Sequence, residues 1–202
     1  MKNSPRSSLT YDQLVAQARQ MLEQRRFKEA INAYKELIKT KPDTALNQEL
    51  ATAYRERAVE LATKDMHPES IILWETQARL TEQSPWAPCY TGWLFKTGQY
   101  AKLASQVHTV SEILEPSGLA RPALETLAIL ALDDPKLLSH FPADHPIAKQ
   151  YPVILQALNA YTAGQDEDVL SCLQQIPSRS PYREVRTLLK GLLSLDQDRS
   201  VG

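Results

Sequence analysis

The sequence predicts an all-α protein, and three observations carry that expectation. Phe27, Ala30, Ile31, Tyr34, Leu37 and Ile38 of FKEAINAYKELIKTKP fall at i, i+3, i+4, i+7, i+10 and i+11, the apolar stripe of a helix that buries one face. Thirteen prolines and only six glycines punctuate the 202 residues, many of them where such stripes stop. Runs that alternate apolar and polar residues at a period of two, the mark of a strand, are almost absent.

Taken in order, Thr10 is a good N-cap, so the first helix begins there and carries Leu14, Ala18, Met21 and Leu22 on one face as far as Glu23 or Gln24. A turn at Arg25 and Arg26 leads to the Phe27 stripe, which Pro42 stops. Asp43 caps a third helix to about Lys64 with Leu46, Leu50, Tyr54, Ala58 and Leu61 facing inward. Pro68 opens a fourth at its first position, where a missing N–H is harmless, and Ser84-Pro85 open a fifth. Gly98 closes that one in the left-handed conformation. Tyr100, Leu103, Val107, Val110 and Leu114 stripe a sixth helix ended by Pro116 and Gly118. Leu124, Leu127, Ala128 and Ala131 mark the next, and Pro135 to His140 one or two short turns. Ile147, Tyr151, Ile154, Leu155, Leu158 and Tyr161 form a helix that Gly164 ends. Its partner carries Val169, Leu170, Leu173 and Ile176 up to Pro177. A last helix spans about Pro181 to Leu195, giving about eleven in all.

Leu14 to Pro42, with a small residue one turn before an aromatic and a closing proline, resembles one tetratricopeptide repeat (TPR). LATAY (Leu50 to Tyr54) is similar to the leucine, small residue, tyrosine spacing of the family's first helix, and Lys96-Thr97-Gly98-Gln99-Tyr100 to its inter-helix turn. The third helix departs from the family by roughly two extra turns. The resemblance implies a right-handed superhelical α-solenoid of stacked antiparallel helix pairs. It would form a single domain over residues 10–195, with strong repeats at 11–44 and 85–116, a degenerate stretch at 117–144, a further pair at 146–177 and a terminal helix at 181–195. Residues 1–9 and 196–202 would be tails, the first disordered.

Charge and composition exclude several classes. Net charge is −1, yet residues 1–42 hold nine Lys/Arg against four Asp/Glu and residues 112–176 hold three against nine. Such polarity steers a charged partner, and the acidic stretch argues against nucleic acid as that partner. Cys89 and Cys172 have no CxxC spacing and read as reduced, buried small hydrophobes. The polar start MKNSPRSSLTYDQL has no apolar signal core and no apolar run is long enough for a membrane span, so a cytoplasmic protein is expected.

No glycine-rich phosphate loop occurs, no nucleotide or other cofactor is implied, and no GxSxG context surrounds Ser178 or Ser180. His140, Asp144 and His145 lie close together but in a proline-rich segment without a cysteine, which reads as a solvated loop, not a metal site. Asp133 and Asp134 beside Pro135 read as a helix stop and cap. His67 reads as a turn residue and His108 as a surface helix residue. The expectation is a non-enzymatic module.

The resemblance implies a concave groove lined by the first helix of each pair, where another protein or peptide segment binds. In that register the partner-binding residues are Asp12, Arg19, Gln48, Thr52, Arg55, Trp93 and Lys96, with Val15 beside them. Trp93 has a competing reading as core. One subclass of the family grips a C-terminal carboxylate with a basic and amide clamp. At the matching places stand Val15, Arg19, Glu49, Pro85 and Cys89, of which only Arg19 suits. On the last helix Leu188, Leu189, Leu192, Leu193 and Leu195 span more than half the circumference, so a docking face at Leu189, Leu192 and Leu193 for a second copy or the partner is expected. The leading expectation is an adaptor or accessory subunit. A secretion-type TPR chaperone and the regulatory domain of an enzyme share the same features, and an RNA-binding repeat would need a basic stripe.

Overall fold

The computed structural model describes residues 9–200, with side chains to Leu195. Among the described residues helix makes up 78% and no strand occurs. The expected tails at 1–9 and 196–202 fall largely outside what is described: Leu9 is an exposed coil residue, and the last helix runs on to Ser200. No helix among the described residues is long and apolar enough to cross a membrane. Where the sequence predicts one repeat domain, the chain divides into two compact units, Met1–Thr97 and Gly98–Gly202.

The first unit holds α1 (Tyr11–Glu23), α2 (Phe27–Thr40), α3 (Thr44–Ala62), α4 (His67–Leu80) and α5 (Pro88–Lys96), each packed on the next. Thr10 starts α1 with a capping box: its hydroxyl accepts from the Gln13 amide while the Gln13 side chain accepts from the Thr10 amide. Asp43 caps α3 by accepting from the Ala45 amide at 2.8 Å. The core is built from Ala18 of α1, Ala30, Ile31, Tyr34 and Leu37 of α2, and Leu46, Leu50, Ala53 and Tyr54 of α3. Alanines at 18, 30 and 53 let the helix backbones approach around Tyr34, which is fully buried.

The fifth helix starts three residues later than Ser84-Pro85 predict. Ala87 precedes Pro88 and stays in the extended backbone (φ −155°, ψ 158°) that a following proline favours, so the helix starts at Pro88. The segment before it is fixed by aromatic packing. Trp74 donates from its indole to the Pro85 carbonyl at 2.7 Å and meets Trp93 edge-on at 5.5 Å, Trp86 meets Tyr90 in the same way, and the Tyr90 hydroxyl donates to Glu75 at 2.6 Å.

The second unit holds α6 (Tyr100–Ser105), α7 (Val107–Leu114), α8 (Ala120–Asp133), α9 (Pro146–Thr162), α10 (Asp166–Gln174) and α11 (Arg183–Ser200), with 3₁₀ turns at Glu115–Ser117 and Pro135–His140. The single helix expected from Tyr100 to Leu114 is two, because Gln106 leaves helical geometry at φ −120°, ψ 30° without a proline or glycine to announce it. The last helix begins at Arg183, not Pro181. Ser180 and Tyr182 just before it form an anchor: the Ser180 hydroxyl accepts from the Tyr182 amide at 2.9 Å and bonds the Gln150 side chain, and the buried Tyr182 hydroxyl donates to the Ile147 carbonyl at 3.0 Å.

Candidate interaction face

Asp12 and Arg19 are exposed on α1, and Gln48, Thr52 and Arg55 are exposed on α3. At 100° per residue the three α3 positions lie within roughly 60° of one another, so they form one row along the helix. Arg19 and Glu49 join the two helices. The guanidinium donates from Nε to both carboxylate oxygens at 3.1 and 3.0 Å and from Nη2 to Oε1 at 2.6 Å, a two-pronged pair. Its hydrogen bonds hold the Glu49 carboxyl below its ordinary range, and the same bonds raise the Arg19 guanidinium further. Beneath them, burial first and then the Glu49 carboxylate push the Tyr34 phenol far up, so it stays neutral. Arg55 reaches the adjacent Glu56 at 3.2 Å and keeps half its side chain exposed.

Of the residues expected on this face, Trp93 does not reach it. Its side chain is 7% exposed and packed on Trp74. Tyr90, Trp93 and Leu94 span only about 100° of α5, so one buried side takes all three instead of forcing a choice between them. Lys96 is exposed with its Nζ 4.0 Å from Asp65, between the end of α5 and the turn before α4. The face is therefore assembled by α1 and α3.

The expected docking face on the last helix needs a larger correction. Leu189 and Leu193 are 2% and 3% exposed and close the core of the second unit with Ala157 and Ala160 of α9 and Val169, Cys172 and Leu173 of α10. Leu192 is half-buried, and Leu188 and Leu195 are the exposed pair. Three neighbouring helices, α8, α9 and α10, meet α11, which is why the Leu189 and Leu193 side of the strip is interior while Leu188 and Leu195 stay outside.

His145 and His67 also differ from expectation. His145 is buried: its Nδ1 accepts from the Ile147 amide and caps α9, with its ring stacked on Phe141 at 5.8 Å and edge-on to exposed His108 at 5.5 Å. Burial and His108 together lower its basicity. His67, read as a turn residue, is a buried first residue of α4. No metal-binding cluster of His, Cys, Asp and Glu occurs among the described residues. Cys172 lies in the core as expected, while Cys89 is exposed, and both are free thiols. The Arg19–Glu49 link needed tertiary structure, since 30 residues separate the pair and neither stripe points to it.

Comparison with family models, with curated proteins and with solved structures finds no match.

Proposed function

We propose that this chain is a protein-interaction module of tetratricopeptide-repeat type, an adaptor or accessory subunit that holds a segment of another protein on the face built by α1 and α3. The observation that carries the reading is the row of exposed polar side chains, Asp12, Arg19, Gln48, Thr52 and Arg55, supported on two helices tied by the Arg19–Glu49 pair. Arginines on rigid helices bury area while still making directed contacts, which is how interface anchors work. The α1–α2 and α3–α4 pairings, with short turns between paired helices, suit such a repeat.

The type of partner follows in part from Glu49. A free carboxylate offered to Arg19 would have to displace a two-pronged intramolecular one, so capture of a chain terminus by a carboxylate clamp is disfavoured. Binding along the length of a segment, through amides and hydroxyls at Gln48 and Thr52 and charge at Arg55, fits the row better.

The test is affinity capture from the native source with the wild-type chain and with an Arg19→Ala/Arg55→Ala variant, Trp93 being left intact because it is core. The expected result is a protein captured by the wild type and lost by the variant, with the helical circular dichroism unchanged. Equal capture by both chains would move the binding face elsewhere.

A further inference from the structure

A groove on the first unit faces away from that row. Its floor is Ile31, Tyr54 and Leu73, one wall is Lys28, Asn32 and Lys35 on α2, the other Ile72 and Thr76 on α4, and Arg57 of α3 closes one end, enclosing about 420 Å³. On α3, Tyr54 and Arg57 centre roughly 160° around the helix from Gln48, Thr52 and Arg55, so the two faces are independent.

Two properties set this groove apart from an ordinary furrow between helices. The first is Ile72, 61% exposed and among the most exposed large apolar side chains of the described residues, standing beside half-buried Leu73. The second is the charge around it. Every charged residue lining the groove is basic: Lys28, Lys35 and Arg57. Arg57 is matched by Glu60 at 2.6 Å, but among the described residues neither lysine has a carboxylate partner. The Lys35 ammonium is held instead over the Tyr54 ring at 5.6 Å, which places it above the apolar floor.

Lys28 and Lys35 are two helical turns apart, about 10 Å along α2. An amphipathic helix with acidic residues at i and i+7 and aliphatic ones at i+3 and i+4 has the same repeat. It would set its carboxylates against the lysines while its aliphatic side chains cover Ile72 and Leu73. We infer that the groove between α2 and α4 docks an acidic amphipathic helix of another protein, at a second site separate from the α1–α3 face. The complementary charge selects that partner over a basic or neutral helix.

The test titrates the isotope-labelled full chain with a capped alanine-based helical peptide carrying glutamates at i and i+7 and leucines at i+3 and i+4, followed by amide chemical shifts. Shifts should map to residues 28–35, 54–57 and 72–76. Lys28→Glu/Lys35→Glu should weaken binding at least tenfold, and Ile72→Ser should weaken it as well. The Arg19→Ala/Arg55→Ala variant should bind as the wild type does, which separates failure here from failure of the α1–α3 reading. No shifts at millimolar peptide, equal binding of a peptide with lysines in place of the glutamates, or shifts confined to α1 and the Gln48 row of α3 would each overturn the inference. Tighter, lysine-dependent binding of a single-stranded oligonucleotide would overturn it in favour of a phosphate-backbone site.

Discussion

The two units end their helices by the same motif with different residues. In the first, Arg25, Asp65 and Glu82 take the left-handed conformation at φ 59°, 57° and 52°. In the second, Gly118 and Gly164 do so, each at φ 70°, while Gly98, at φ 69°, closes α5 of the first. The hydrogen bonds match: Arg26 to Met21, Met66 to Leu61 and Gln83 to Ala78 in one unit, Leu119 to Leu114 and Gln165 to Ala160 in the other, each running from the amide after the left-handed residue back five positions to a carbonyl. A side chain with a Cβ in that conformation costs about 1–2 kcal/mol, so the first unit carries strain at three turns that the second avoids. In the first, α2 and α3 are continuous helices of 14 and 19 residues that share with α1 one core holding Tyr34 and Tyr54. The second has glycine turns, a break at Gln106 between α6 and α7, and Pro152 exposed inside α9, where it removes the donor that the Ala148 carbonyl would use.

The largest effects should come from removing a fully buried tyrosine in each unit. Tyr34→Ala in the first and Tyr182→Ala in the second each remove a fully buried aromatic, and each should cost about 3–5 kcal/mol in chemical denaturation. A small loss for either would mean its core is not organised around that ring. Next, Leu189→Ala should cost about 2–5 kcal/mol while Leu188→Ala, one position along but 61% exposed, should stay within about 0.5 kcal/mol. Equal costs would contradict the orientation of α11.

Substitutions at the turns test the comparison itself. Gly164→Ala should destabilise by about 1–2 kcal/mol from backbone strain alone, because an added Cβ meets no atom within 4 Å. Arg25→Gly should have the opposite sign and gain somewhat less, about 0.5–1 kcal/mol, since glycine also frees the unfolded chain. The same sign at both turns would show that the motif is not what limits either unit.

The smallest effects are in pH. Both shifted groups titrate lower folded than unfolded, so each favours the folded state above its unfolded pKa and loses that contribution as pH falls through its folded value. For His145 in the second unit the loss begins below about 6.5, and for Glu49 in the first below about 4.5. His145→Asn, which can still cap α9, should flatten the stability profile just below neutrality, and Glu49→Gln should flatten it only in acid. Stability curves of the two variants that diverge from wild type in the same pH window would contradict these assignments.

Local chemistry made much of the first unit legible. The Phe27 stripe, the Pro42 stop, the Asp43 cap and the Thr10 cap rest on contacts within a few residues, so the order of amino acids determines them without reference to the rest of the chain. Gly118 and Gly164 were legible for the same reason: the conformation at the turn is their own. What tertiary structure alone decided is which side of an apolar arc meets a neighbour. Tyr90, Trp93 and Leu94 share one arc, and all three are interior, Trp93 against Trp74 and Tyr90 against Trp86. The leucines of α11 are apolar in any context, yet Leu189 is core and Leu188 surface because α9 and α10 cover one flank. The Arg19–Glu49 link and the basic rim around Ile72 join residues from different helices, and a period along one helix carries no information about its neighbour. Sequence set the helices and most of their ends because those depend on neighbours in the chain. The faces, and the sites built on them, depend on neighbours in space.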